Sequence, residues 1–148
     1  MNASSARRRS PVSCADAMPV MVSDVEHGRP GDEITLSSAA ADGRAAVVFE
    51  DDGETGTFYV RESADGPVLD ALHVYNVEDV VDRDRLSEYK VGWSASGRQA
   101  VLLINGSAHA VYDFDRAKGW CRSGFPPGDA TWSLEGHEWD DACLEHFR

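Results

Sequence analysis

Glu50, Asp51, Asp52 and Glu54 crowd around Gly53, between the apolar runs 45–49 and 57–60. Carboxylate oxygens in such density bind hard divalent cations or the Lys and Arg side chains of a protein. Like charges facing each other across a hairpin are destabilising, so the cluster calls for a cation, a basic partner or plain solvation. A calcium loop of the EF-hand kind is excluded. Placing Gly53 at the invariant glycine position puts Val48 and Tyr59 where oxygen ligands must stand. Two functional readings remain. One is a contact surface for a basic protein. The other is a non-standard divalent-metal site using Glu50, Asp51, Asp52 and Glu54 with His73 or His109, in an enzyme or a ligand-binding domain. A solvated turn accounts for the cluster as readily as both together.

The remaining reactive residues are scattered. His73 and His109 sit in strand-like runs among apolar neighbours, where a satisfied core histidine is the ordinary case. His137 and His146, with Cys121 and Cys143, lack the close ligand pairs that zinc requires. Cys121, His109 and Asp113 form the one triad candidate. On a single strand His109 and Asp113 would lie ~13 Å apart, beyond hydrogen-bonding reach. No nucleophile elbow, P-loop or dinucleotide fingerprint occurs. No catalytic residue is nominated, and no cofactor beyond a divalent metal. Trp120, Arg122, Phe125 and Trp132 offer a second surface, since Trp and Arg concentrate at interface centres. In a small domain such Trp residues more often close the core.

The elements that must position these groups read as strands. The 148-residue chain carries a formal charge of −12, which disfavours nucleic acid and anionic lipid as partners and favours a basic protein. Four arginines against three carboxylates leave residues 1–30 slightly basic, so the charge belongs to the remainder. Three cysteines without close pairs fit a reducing cytoplasm, and no apolar run approaches a membrane span. Residues 1–29 are expected to be a disordered tail, with Met18 or Met21 as the true start. A native N-terminal peptide beginning at Met1 or Asn2 would overturn that start. Residues 30–148 form a single β-rich domain. Strands are predicted at 34–38, 45–51 and 54–61, the last two joined by an Asp52-Gly53 turn that sets Asp51 opposite Glu54 and Phe49 opposite Gly56. A long strand at 68–77 and a charged loop at 78–88 follow. Then comes a meander, 89–95, 98–104 and 107–114, turning at Ser96-Gly97 and Asn105-Gly106, with Arg98 paired to Asp113. Four-residue spacing of Trp139, Cys143 and Phe147 predicts a helix over 137–147.

The segments FEDDGETGTFYV (49–60), LDALHVYNV (69–77), GWSASGRQAVLLINGSAHAVYDFD (92–115), GWCRSGFPP (119–127) and HEW (137–139) together resemble a family of short bacterial proteins, domain of unknown function 2251. The resemblance covers about residues 45–140. It implies a bacterial source and one compact domain, and brings no activity or catalytic residue with it. The expected fold is mainly β, consecutive antiparallel hairpins with a short C-terminal helix. The expected function is a non-enzymatic acidic binding protein, of immunity or antitoxin type, that meets a basic partner through Glu50, Asp51, Asp52 and Glu54, with Trp120 and Arg122 as further contacts.

Overall fold

The computed structural model describes residues 21–123 and 137–147. Nine strands follow one another: β1 (Met21–Gly28), β2 (Thr35–Ala39), β3 (Ala46–Asp51), β4 (Thr55–Arg61), β5 (Val68–Asn76), β6 (Ser87–Trp93), β7 (Gln99–Ile104), β8 (Ser107–Asp113) and β9 (Lys118–Cys121). They build a four-stranded sheet, β2-β3-β4-β5, and a five-stranded sheet, β1-β6-β7-β8-β9, antiparallel throughout. Each sheet is thus a run of consecutive hairpins, with β1 added beside β6. The fold is mainly β, as the turn spacing predicts.

Alternation explains why the sheets face one another. Leu36, Val47, Phe49, Phe58, Val60, Leu72 and Val74 point inward from the smaller sheet; Tyr89, Val91, Trp93, Leu102 and Tyr112 meet them from the larger. Trp93 Nε1 donates to Ser38 Oγ at 2.9 Å, so the one polar atom of that buried ring is satisfied across the sheets. A second cluster covers the outer face of the five-stranded sheet. Val101, Val111 and Trp120 there receive Cys143 and Phe147.

Four expectations are corrected. The opening segment read as a tail contains β1, which pairs with β6 from Met21 to Gly28; residues 1–20, Met18 included, lie outside the described residues. The acidic hairpin is slipped by two. Phe49 pairs with Phe58 and Asp51 with Gly56, so Asp51 does not face Glu54. The turn centres on Gly53 and Glu54, with Gly53 at φ +98, because Asp52 Oδ1 accepts the N–H groups of Glu54 and Thr55. In the meander, Tyr89 pairs with Ile104 and Trp93 with Ala100 as expected. A bulge at His109 then shifts β8, so Gln99 pairs with Asp113, and Arg98 instead bridges Asp115 at 3.0 Å. The short C-terminal helix is present as 3₁₀ turns over Asp141–Phe147, beginning later than the spacing suggests. Asp140 starts it, its Oδ1 accepting Ala142 N and its carbonyl accepting Cys143 N.

Candidate functional site

The tip of the β3–β4 hairpin divides its carboxylates into two roles. Asp51 turns inward and is 1 % exposed. Its Oδ2 accepts Gly31 N at 2.7 Å and the Tyr75 hydroxyl at 2.6 Å, and its Oδ1 accepts Gly53 N at 2.8 Å. Three donors leave it a structural anchor with little capacity to spare for a partner. Glu50, Asp52 and Glu54 are exposed, and among the described residues none of them forms an ion pair. The two turn N–H groups, Thr55 first and then Glu54, hold Asp52 below the usual carboxylate range. Glu33, which composition alone did not single out, lies against Gly53 and adds another carboxylate to the tip.

Backbone bonds fasten this tip to the neighbouring chain. Asp51 N donates to Ile34 O, and Val77 N donates to Glu54 O, each at 2.8 Å. Just beyond Val77, residues 80–86 roof a cleft of about 560 Å³ between β5 and the β6–β8 side of the larger sheet. Tyr75, Tyr89, Ile104 and His109 line its walls, with Val81, Leu86, Asp82 and Arg85 at its roof. Val81 is 93 % exposed and Leu86 60 %, an unusual pair of solvent-facing apolar side chains. A smaller hollow of about 230 Å³ adjoins it, sharing Tyr75 and Val80 and lined also by His73, Asp79 and Ser123. Burial and the Asp51 bond push the Tyr75 phenol well above its ordinary pKa, so it serves as a hydrogen-bonding group and not as a base.

The two strand histidines stay apart from the carboxylates. His73 stands in the cross-strand row Glu50, Thr57, His73, two strands from Glu50 and so ~10 Å from it. His109 belongs to the other sheet, at the bulge, where burial and the Arg122 charge push its pKa down. Among the described residues no group of three His, Cys, Asp or Glu side chains is arranged to hold a metal ion. Asp113 is occupied at the β8–β9 turn, its Oδ1 accepting Gln99 Nε2, Asp115 N and Arg116 N.

Trp120 and Arg122 sit elsewhere. Trp120 is buried in the cluster outside the larger sheet, flanked by Arg116 and Lys118. Arg122 stacks 3.8 Å from the Trp139 ring centre while its Nε donates to Ala108 O. These side chains pack the outer face of the five-stranded sheet. Phe125 and Trp132 lie outside the described residues. A pair that sequence reading missed is Asp70 and His137, joined at 2.8 Å with side chains 3 % and 0 % exposed. It anchors the residue preceding the C-terminal turns to β5, and no local pattern announces it, since the partners are 67 positions apart.

Fold and site define a small all-antiparallel two-sheet protein with one acidic, cleft-bearing end. The chain belongs to the family described as uncharacterized protein conserved in bacteria, DUF2251, whose model matches residues 28–148. That range confirms the resemblance and extends it through the C-terminal turns. A relative from Haemophilus influenzae, described only as an uncharacterized protein, is 44 % identical over 95 residues, covering 61 % of this chain and 58 % of its own. The match thus spans little more than half the relative's length. No solved structure matches the chain. No helix among the described residues is long and apolar enough to cross a membrane.

Proposed function

We propose that this domain is a non-enzymatic binding protein that engages a basic protein partner through the end of the sandwich where the acidic hairpin meets the cleft. The observation that carries this is the division of the hairpin carboxylates. Asp51 is spent on the fold, whereas Glu50, Asp52 and Glu54 stand in solvent with no cation beside them among the described residues. Val81 and Leu86, in the cleft that Tyr75 lines while bonded to Asp51, supply the apolar contact that a purely electrostatic surface lacks. Charge of one sign steers a partner of the other and speeds association, which suits an inhibitor of immunity or antitoxin type. The buried thiols of Cys121 and Cys143 support a cytoplasmic setting.

The test is affinity for a Lys- and Arg-rich peptide carrying one leucine, measured at low and at physiological salt. The wild type binds saturably and loses affinity with salt, and the triple variant E50Q/D52N/E54Q binds at least tenfold more weakly. Equal affinity of the two proteins overturns the proposal.

A further inference from the structure

Residues 77–86 cross from the smaller sheet to the larger and roof the cleft with a segment of two kinds. Val80, Val81 and Leu86 stand at its ends; Asp82, Arg83, Asp84 and Arg85 form a charged crest between them. Both ends are fixed. Val77 N donates to Glu54 O at 2.8 Å, and just beyond buried Ser87, Glu88 N donates to Asn105 Oδ1 at 2.9 Å. Between those points the backbone closes two local turns, Val80 N to Val77 O and Arg85 N to Asp82 O. A segment held at its ends with so little internal bonding rearranges at low cost in free energy. One brace ties the crest to the turn between β1 and β2: Arg29 Nε donates to Asp84 O at 2.9 Å.

That brace leaves the apolar ends in water. Val81 is 93 % exposed and Leu86 60 %, yet beside them lies a cleft of about 560 Å³ lined by Val74 and Ile104. Apolar side chains with such a space at hand gain by entering it. The route is short. Val81 follows Val80, which is already partly buried, and Leu86 precedes buried Ser87. Rotations about 81–82 and 85–86 carry both side chains inward while the charges of the crest stay in water.

We propose that residues 77–86 are a strap that closes on the cleft, seating Val81 and Leu86 against Val74 and Ile104, and that the Arg29–Asp84 bond holds it open. Closure withdraws the two side chains from the partner surface, a consequence that rests on the binding role proposed above. The strap thus controls the apolar half of that surface and leaves Glu50, Asp52 and Glu54 in place.

The experiment uses the full chain with labelled Ile, Leu and Val methyl groups and no partner, and reads through-space magnetisation transfer from the Val81 methyls. Transfer to Val74 and Ile104 is expected in the wild type, and it should grow at least twofold in Arg29→Met, which removes the brace and keeps the stem. Arg29 is exposed, so that variant should keep the fold. Absence of transfer in both proteins overturns the strap; equal transfer in the two overturns the brace. Masking of the partner surface has its own sign. Arg29→Met deletes a positive charge two residues from Gly31, whose N–H bonds Asp51 of the hairpin, and that alone would strengthen the hold on a basic peptide. Closure predicts the reverse, an affinity about threefold weaker at physiological salt; equal or tighter binding overturns the masking. The two proposals fail separately. If E50Q/D52N/E54Q loses the peptide while Val81 shows no transfer, the strap falls and the tip surface stands. If Val81 shows transfer but the peptide ignores the tip, the tip surface falls and the closure stands.

Discussion

Tyr75 and Asp51 are joined by a 2.6 Å hydrogen bond that ties the acidic hairpin to β5. The same carboxylate gathers Gly31 N from the turn before β2 and Gly53 N from its own hairpin. One buried side chain therefore holds three chain segments at the end where the cleft opens. Asp51→Ala orphans all three donors and should cost about 3 kcal/mol. Tyr75→Phe removes a single partner and should cost about 1–2 kcal/mol. Urea unfolding measures both; an unchanged midpoint for Asp51→Ala contradicts the anchoring role.

Gly56 is required by close approach, not by backbone conformation. A Cβ there would stand 2.7 Å from Tyr75 Cζ and 3.0 Å from Phe49 Cζ. Both rings are packed, Phe49 stacking on Tyr89 with centroids 5.2 Å apart, so neither moves cheaply. Gly56→Ala should destabilise by about 1–3 kcal/mol and shift the Tyr75 and Tyr89 ring resonances. A variant as stable as wild type, with unmoved rings, refutes this packing.

His137 and Asp70 form a buried pair whose halves depend on each other. Removing either alone leaves an uncompensated polar group in the interior, at about 3–5 kcal/mol. His137 Nδ1 has no hydrogen-bond partner among the described residues, so the pair is incompletely satisfied and a joint apolar replacement should be far milder. A thermodynamic cycle of Asp70→Leu, His137→Leu and the double variant should show the second change costing much less than the first. Additive costs would mean that the contact is incidental.

Alkaline pH probes the outer cluster. Burial, aided by the Asp140 charge, lifts the Cys143 thiol from 9.0 to about 11. The folded chain then holds that proton more tightly than the unfolded chain. Its contribution is complete below pH 9 and is lost as pH climbs toward 11. Unfolding free energy measured across that window should decline, and Cys143→Ala should flatten the decline. An identical slope in the variant assigns the loss to other groups, Tyr112 at about 12 first among them.

Legibility followed locality. The Asn105-Gly106 turn, with φ of +52 and +85, was readable because those two residues tolerate left-handed backbone, and it correctly set Ile104 opposite Ser107 where the β7–β8 hairpin begins. The Asp52-Gly53 signal misled by two residues. Asp52 supplies a side-chain acceptor to the turn instead of occupying its centre, a choice composition does not reveal. The bulge at His109 left no mark in the alternation, and it alone broke the expected Arg98–Asp113 pair. β1 is polar and short of apolar periodicity, so only its pairing with β6 defines it. The candidate site was half visible. Its carboxylates stood out, but that Asp51 would turn inward, and that Tyr75, Tyr89 and His109 would share a cleft beside them, depends on long-range contacts.

The most direct measurement of the binding account is a residue-by-residue map of amide shifts as the basic peptide is added to the full chain at low salt. The account predicts saturable shifts concentrated at residues 31–33, 50–55 and 75–89, lost together in E50Q/D52N/E54Q. Shifts centred on Trp120 and Arg122, or spread evenly over the acidic surface and unchanged in that variant, would contradict it.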